Sequence, residues 1–433
     1  MSKPLGGIRV AVLLGTSNLV RDSRVRKEAR TLSEAGASVT VYCYTQESKV
    51  TDGGLLAEPF RTVYVGDIEY ESIIPPPSVP EYFEISKPSW PWIIRVPEHL
   101  FLNAVYNNPR MKRYGKRYDR WHATYAKWFD CYEQYRPYFM HMELVEKPDI
   151  VHANDLDTLY AGAYIARREG AKLIYDSHDL YLQSGWSAEA QDWLSVYVDV
   201  EAEYIHQADA VITANDGISD ILRQNYGHTA PTIEVYNGCQ NVMREPTPVH
   251  DPVRFIFSGI FGKNRGLKAL VEAFDQLRGQ AELTLQGYGG IEGELRSYVK
   301  DRRLEDVVFF VDAVEPAQIV PLLHDYDVGV LTWRAETKNL EITAPNKLFD
   351  YIGAGLALVA TYDLSFIAQL IETHDNGYLF DNTGADSIAE AFRRIIARPD
   401  VLSAKKGASI QVAPLYSWEA QSGKLIDLYR KIC

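Results

Sequence analysis

Apolar residues along the chain fall in short continuous runs of strand length, each followed by a polar or glycine-bearing turn and then a helical pattern. Residues 8–15 form the first such run and residues 38–44, SVTVYCY, the second. Between them Val25, Ala29 and Leu32 recur at helical spacing behind Asp22 or Ser23, either of which can cap a helix, and Gly36 closes the segment. Continuous apolar runs of this size predict strands buried on both faces, and strand–helix–strand at this spacing predicts a βαβ unit. The series resumes with a strand at 148–155 (PDIVHAND), a helix at 158–169 and a strand within 172–185 (KLIYDSHDLYLQSG). A strand, turn and helix follow at 208–227, with Asn215 or Asp216 as the cap, and residues 232–239 close this half. Residues 240–252, QNVMREPTPVHDP, are polar and carry three prolines, which reads as a linker. A second series follows, with strand–loop–helix units at 253–274 and 281–299, a strand at 306–316 and an apolar run at 326–333. Behind them come a short strand in GYLFDN and helices at 386–397 and 418–431.

The second series centres on residues 341–360, EITAPNKLFDYIGAGLALVA, a loop, a helix, a Gly turn and a buried strand. Pro345 suits a first helical turn, where a missing N–H costs nothing. Leu348, Phe349, Tyr351 and Ile352 form the apolar side, and Gly353 and Gly355 can end the helix. A polar loop feeding a helix N-terminus offers free backbone N–H groups to an anion. Lys347 stands where the helix dipole disfavours a cation, and an anionic ligand reconciles the two. An ordinary loop–helix–strand unit with a surface lysine fits the same local pattern.

Length and charge narrow the picture. A chain of 433 residues predicts two domains of about 200 residues each. A net charge of −13 argues against general nucleic-acid binding, which needs basic surface. The cysteines at 43, 131, 239 and 433 are far apart, with no CxxC and no Cys/His pairing, so neither a zinc site nor a disulfide framework is expected. The N-terminus lacks a cleavage pattern, and no stretch approaches ~20 apolar residues, which predicts a cytoplasmic chain without a spanning helix. Residues 67–86 read as an acidic, Pro-rich loop outside the repeating pattern. Residues 87–138 hold ten Lys or Arg against four Asp or Glu, with thirteen aromatics. Met111, Tyr114, Tyr118, Trp121, Tyr125, Trp128, Tyr132 and Tyr135 alternate steps of three and four, one face of a long helix. Arg113, Lys116, Arg117 and Arg120 cluster near its start. Such a helix fits peripheral contact with a membrane or a lipid-linked acceptor. It equally fits an aromatic stripe packed on the N-terminal half with a wet basic face, and the two readings are compatible.

In open α/β sheets, ligands sit beyond the carboxyl ends of the strands. Gly15, Thr16 and Asn18 fall at such a position, as do Asp176, Ser177, His178 and Asp179. After the strand ending at Gly259, a glycine-containing loop carries Lys263 and Arg265, the composition of a phosphate cradle. It is not a Walker loop, since no Ser or Thr follows Gly262-Lys263. Gly287-Tyr288-Gly289-Gly290 begins like a dinucleotide fingerprint, but Glu292 holds its third glycine position. No GxSxG elbow occurs, so hydrolase chemistry has little support.

The segment Pro345 to Tyr351, PNKLFDY, with Gly355 behind it, resembles the donor-site signature of retaining family 4 glycosyltransferases, in the branch that reads roughly PNKLFEY-x-x-x-G. The run D-x-R-V-x-K-E-A at 22–29, the DSHD run and the YSW step at 416–418 resemble the same family. The likeness extends over nearly the whole chain except about residues 60–145. It implies an α/β protein of the GT-B fold, two Rossmann-like domains with an interdomain cleft. The N-terminal domain, on the acceptor side, would span 1–240 with an insertion at about 60–145. The nucleotide-sugar domain would span 253–415, and a helix at 416–433 would cross back.

The resemblance also assigns residues. His178 would lie by the donor sugar and reaction centre. Arg265, with Lys263 substituting for a family Arg whose position is Ile260, would contact the donor diphosphate. Ala344, Pro345, Asn346 and Lys347 would hold the diphosphate at the helix start. Asp350, where the family has Glu, would hold the ribose, and Asp312 and Ala313 would lie at the nucleobase. Gly15, Thr16, Gly287 and Tyr288 complete the donor-binding set. The family's other Glu falls on Ile342, with Glu341 beside it as a substitute carboxylate. The charges at 22–29 otherwise read as a solvated helix face.

The implied activity is metal-independent, retaining transfer of a hexose-type sugar from a nucleotide-diphosphate sugar, with no further cofactor. The acceptor would be a glycan, a lipid-linked saccharide or a small natural product, and the site the cytoplasm or the inner face of the plasma membrane. Two rivals stand beside it: a non-catalytic nucleotide-sugar-binding partner subunit, and a sugar-nucleotide epimerase or phosphorylase on the same fold. Oligomeric state is not encoded in any of these patterns.

Overall fold

The apolar runs assemble into two parallel sheets in a computed structural model that describes residues 3–15, 19, 22–43, 58–64, 139, 142–184 and 191–433. The first contains β1 (Arg9–Leu14), β2 (Ser38–Cys43), β3 (Arg61–Tyr64), β4 (Ile150–Asn154), β5 (Lys172–Ser177), β6 (Ala210–Thr213) and β7 (Thr232–Glu234). Their order is β3-β2-β1-β4-β5-β6-β7, parallel at every pairing. The second contains β8 (Val253–Ile260), β9 (Ala281–Tyr288), β10 (Val308–Val311), β11 (Val328–Leu331), β12 (Ala357–Thr361) and β13 (Gly377–Phe380), ordered β10-β9-β8-β11-β12-β13. Strand order reverses between β1 and β4 in one sheet and between β8 and β11 in the other. Each reversal opens a crevice at the carboxyl ends, where a ligand fits.

Helices cover both faces of each sheet. In the N-terminal half they are α1 (Ser23–Glu34), α2 (Leu156–Glu169), α3 (Gln191–Tyr204) and α4 (Asp216–Tyr226). The C-terminal half adds α5 (Leu267–Asp275), α6 (Glu292–Asp301), α7 (Pro316–Leu323), α8 (Lys338–Glu341), α9 (Asn346–Ala354), α10 (Ser365–His374), α11 (Ala385–Ile396), α12 (Pro399–Val412) and α13 (Trp418–Ile432). Asp22 caps α1 by accepting from Val25 N, and Asn215 caps α4 by accepting from Ile218 N, so each pair of candidate caps resolves to its first member. Pro345 stands at the N-cap of α9, and Gly355, with φ 76°, ends it. Gly353 lies inside that helix, because a side chain there would run into Cys239 Sγ at 2.6 Å.

Some helices carried no apolar period. The buried face of α12 includes Lys406 and Ser409 beside Leu402. Lys406 Nζ reaches Asp327 Oδ1 at 2.7 Å, a buried ion pair that replaces part of an apolar stripe. α7 keeps Pro321 in its interior, which reads as a breaker in sequence.

α13 returns to the N-terminal half. Leu425, Leu428 and Tyr429 enter the core that holds Val10, Val12 and Leu32. Trp418 Nε1 donates to Thr31 Oγ1 at 2.9 Å, and Trp418 N to Cys239 O at 2.8 Å. Gly238 lets these two chain crossings pass, since a Cβ on it would sit 2.4 Å from Tyr416 O.

The expectation of a solvated charged face at 22–29 is overturned. Arg24, Lys27 and Glu28 are all buried, between 2% and 8% exposed. Arg24 and Glu28 turn towards β4 and β5, and Lys27 donates to Gly238 O at 2.8 Å. Amphipathic reading fails here because the buried stripe of α1 is itself charged and internally compensated. The basic, aromatic region 87–138 and the Pro-rich segment 67–86 lie outside the described residues, as do Thr16 and Asn18. Among the described residues no helix is long and apolar enough to cross a membrane.

Candidate active site

The strand ends of the two halves meet through the loop after β11. Asn339 Oδ1 accepts from Leu180 N at 2.8 Å, and its amide donates to Asp179 Oδ1 at 3.2 Å. Asn215 Nδ2 donates to Ile342 O at 2.7 Å, and Asn237 Nδ2 to Asn346 Oδ1 at 2.6 Å. Ile342, only 6% exposed, packs into the apolar core of the N-terminal half. The position expected to carry a family carboxylate thus holds an apolar residue that joins the two halves.

On the C-terminal side, Lys347 and Arg265 converge. Lys347 Nζ lies 3.7 Å from the ring centre of Phe257 and 5.3 Å from that of Trp333. The Arg265 guanidinium lies 5.2 Å from the same Trp333 ring. Neither forms an ion pair with a carboxylate among the described residues. Burial pulls the Lys347 amine well below the ordinary lysine range, and Arg265 adds repulsion. Burial also lowers Arg265, against a weaker opposing pull from Asp179 across the cleft. Gly259, at φ 135°, makes room for the lysine, since a Cβ would sit 2.8 Å from Nζ. No side chain caps α9, and of its first N–H groups Leu348 N turns back to Pro345 O at 3.0 Å. Two partly buried cations beside an uncapped helix start are suited to an anionic ligand.

The other expected donor contacts distribute as follows. Lys263 is exposed on a 3₁₀ turn, Lys263–Arg265, that leads into α5. Gly287 (φ 138°) packs with no room for a Cβ against Gly259 O, and Tyr288 beside it is 44% exposed. Tyr288 is in register with Ile260, 60% exposed and next in the chain to Gly259. Asp312 and Ala313 are exposed after β10, where Gln286 Nε2 donates to Asp312 O at 3.2 Å. Ala344 is half-buried and Asn346 exposed. Glu341 pairs with Lys338 at 2.6 Å on the surface of α8. Asp350 faces the other half: burial raises its carboxyl to about 6, opposed by the charge of Lys27. Lys27 in turn is lowered by burial to about 8, with Asp350 its largest favourable partner.

The N-terminal wall is acidic, with His178 in its middle. His178 Nε2 is 3.2 Å from Asp155 Oδ2, and Nδ1 is 3.7 Å from Asp176 Oδ1. Burial alone would lower the imidazole, but Asp155 and Asp176 hold it well above its ordinary value. Asp176 is fully buried, and Arg24 grips it through Nε at 3.1 Å and Nη2 at 3.0 Å. Burial pushes the Asp176 carboxyl up, and Arg24 overrides that, leaving it well below the usual range. Gly15 lies against Asp157, so close that a Cβ would meet Oδ2 at 2.5 Å. His152 Nδ1 contacts the Tyr429 hydroxyl at 2.6 Å, which ties α13 to the floor of this wall. Glu28, His152 and Asp176 have the spacing of metal ligands, but the Arg24 guanidinium already supplies the positive charge at both carboxylates. Asp155, Asp157 and Arg24 escaped sequence reasoning as site residues. The alternation of acids at the end of PDIVHANDLD was the available signal.

Residues 23–240, half of the chain, match the model of Glycosyltransferase Family 4, and residues 252–398 match that of Glycosyl transferases group 1. The amylovoran biosynthesis glycosyltransferase AmsK of Erwinia amylovora is 27% identical over 150 residues, 34% of this chain and 37% of that protein. The chain thus spans little more than a third of the length of this relative. Among solved structures, sucrose-phosphate synthase from Thermosynechococcus elongatus superposes with a TM-score of 0.64 at 16% identity, over 98% of both chains. Anabaena Alr3699/HepE in complex with UDP-glucose superposes with 0.62 at 16% identity, over 97% of this chain and 98% of that one. At these identities the likeness is one of fold, the α/β GT-B architecture of two Rossmann-like sheets.

Proposed function

The chain belongs to glycosyltransferase family 4, and we propose that it transfers a hexose-type sugar, with retention, from a nucleotide-diphosphate sugar to a saccharide, lipid-linked or small-molecule acceptor. The observation that carries this reading is the convergence of Arg265 and Lys347 on Trp333 without a carboxylate partner among the described residues. Desolvated cations without counter-ions are costly, and a bound diphosphate supplies the missing charge. As the anomeric C–O bond breaks, its electron pair goes to the leaving diphosphate. Arg265, Lys347, Lys263 and the N–H groups at the start of α9 stabilise that growing charge. The acceptor oxygen attacks the anomeric carbon from the leaving-group face, and its proton passes to the departing phosphate oxygen. His178 orients the sugar from the opposite wall. The carboxylates of Asp155, Asp157 and Asp179 are suited to accept hydrogen bonds from sugar hydroxyls.

UDP-sugars are the first donors to test, because HepE, of the same fold, is described with UDP-glucose. A thermal-shift screen of UDP-, GDP-, dTDP- and ADP-sugars, followed by transfer assays with Arg265→Ala and His178→Ala, tests the proposal. Binding without transfer in the wild type, across acceptors, favours the partner-subunit reading. That second reading draws on Ile342, buried between the halves, and on Asp350, which faces Lys27. Turnover of the donor alone without an acceptor favours an epimerase or phosphorylase.

A further inference from the structure

Asp155 ends β4 and leads into α2 with φ 59° and ψ 168°. Glycine tolerates that combination, and a residue with a Cβ is strained in it. The chain keeps a carboxylate there although it caps nothing, since the side chain makes no hydrogen bond to the start of α2. One oxygen, Oδ2, sits 3.2 Å from His178 Nε2, while Oδ1 is buried without a hydrogen-bond partner. Strain and an unsatisfied oxygen are both destabilising, so local structure gives no reason for this residue. Its contact with His178 does. The His178 ring lies between Asp155 on one nitrogen and Asp176 on the other, and Arg24 locks Asp176 from behind.

We propose that Asp155 is a positioning residue of the transfer site, one that fixes the plane of the His178 ring and keeps both its nitrogens protonated, so that a cation faces the donor. This rests on the reading of the cleft as a transfer site. The charged and titratable groups around the ring come from every packed element. α1 contributes Arg24 and Glu28, and β4 contributes His152. Asp155 and Asp157 come from the β4–α2 junction, Asp176 and Asp179 from the end of β5. Arg265 approaches Asp179 from the other half. Burial pushes the Asp155 carboxyl well above its ordinary range and Glu28 to about 7, and His178 is the largest influence that draws Asp155 back down, so the 3.2 Å Asp155–His178 contact is one in which each charge depends on the other.

The full chain with ¹⁵N-labelled histidine is titrated by NMR as wild type, Asp155→Asn and Asp155→Gly, and each variant is also assayed for unfolding temperature and transfer. The His178 resonances are assigned with His178→Gln. The wild-type ring is expected to show imidazolium shifts well above neutral pH, and Asp155→Asn to lower its titration by about one pH unit or more. Asp155→Gly relieves the strain, so its unfolding temperature stays level or rises, while kcat falls ~100-fold with donor KM little changed. An unchanged His178 titration in Asp155→Asn overturns the proposal. So does an Asp155→Gly protein that melts well below the wild type yet keeps its kcat, the signature of a structural aspartate. A wild type inactive with every donor counts against the transfer reading alone, because the titration and melting arms still decide the clamp.

Discussion

The two walls of the cleft handle charge in opposite ways. On the N-terminal wall Arg24, Asp176, Glu28, His152, His178 and Asp155 lie within a few ångströms of one another, with Arg24 bridging Asp176 and Glu28. On the C-terminal wall Arg265 and Lys347 share an indole and no carboxylate. The first wall offsets its buried charge mainly by internal pairing around Asp176, with the strained Asp155 as its exception. The second is complete only with an anion in place. Mutations at Arg24 on the first wall and at Arg265 or Lys347 on the second should therefore separate stability from activity.

The sharpest break of that comparison is Arg24→Met. It leaves Asp176 buried beside Glu28 and two histidines with no guanidinium, and a buried pair broken on one side costs about 3–5 kcal/mol. Urea unfolding is expected to shift by that amount, with Arg24→Lys in between because one ammonium cannot replace two guanidinium bonds. A stability equal to wild type would mean the N-terminal wall is not an internally compensated unit.

The converse holds for Lys347→Ala and Arg265→Ala. Each removes a desolvated cation, so the unfolding midpoint should hold or rise. Transfer should fall about 10²–10³-fold, the scale set by losing one preorganised charge at a leaving group. Loss of stability with unimpaired transfer would reverse the roles assigned to the two walls.

How much of this was legible in the sequence follows from the same contrast. The strands were legible because parallel strands are continuous apolar runs, and β4 and β12 are buried at every position. Lys347 stood out because a cation at a helix start conflicts with the dipole. Arg24 and Glu28 did not, because a charged residue in a helix is by default solvated, and only the distant Asp176 and His152 make them internal. α12 escaped for a similar reason, its buried face being built on Lys406 and Asp327, far apart in the chain. Asp155 had only the alternating acids of PDIVHANDLD to mark it, since backbone strain leaves no compositional trace.

A smaller effect sharpens the anion site. Lys347 titrates well below the usual lysine range in the ligand-free protein, through burial first and Arg265 second. A bound diphosphate adds negative charge and raises that value, so binding takes up protons wherever the free amine is partly neutral. Affinity for UDP should therefore weaken as pH rises through the free-protein titration. Calorimetry in buffers of different ionisation heat reads the uptake directly, and Lys347→Met should abolish it. Uptake that persists in that variant would move the titrating group elsewhere, with Lys27, at about 8, the next to examine.

The smallest effect concerns Glu341, whose carboxylate is held by Lys338 on a half-exposed stretch of helix. Such i,i+3 pairs contribute only about 0.2–0.5 kcal/mol, so Glu341→Gln and Lys338→Ala should each leave stability nearly unchanged. They separate in binding. If Glu341 turns to the donor sugar, it must leave Lys338, so Lys338→Ala tightens donor binding slightly while Glu341→Gln weakens it. Equal binding in both variants removes Glu341 from the site. The neighbouring position cannot take over, because Ile342 is packed into the N-terminal core with its carbonyl held by Asn215. In that case the carboxylates that meet the sugar belong to the opposite wall, and the contrast between the walls extends from charge to substrate: the C-terminal wall holds the diphosphate and the N-terminal wall the hydroxyls.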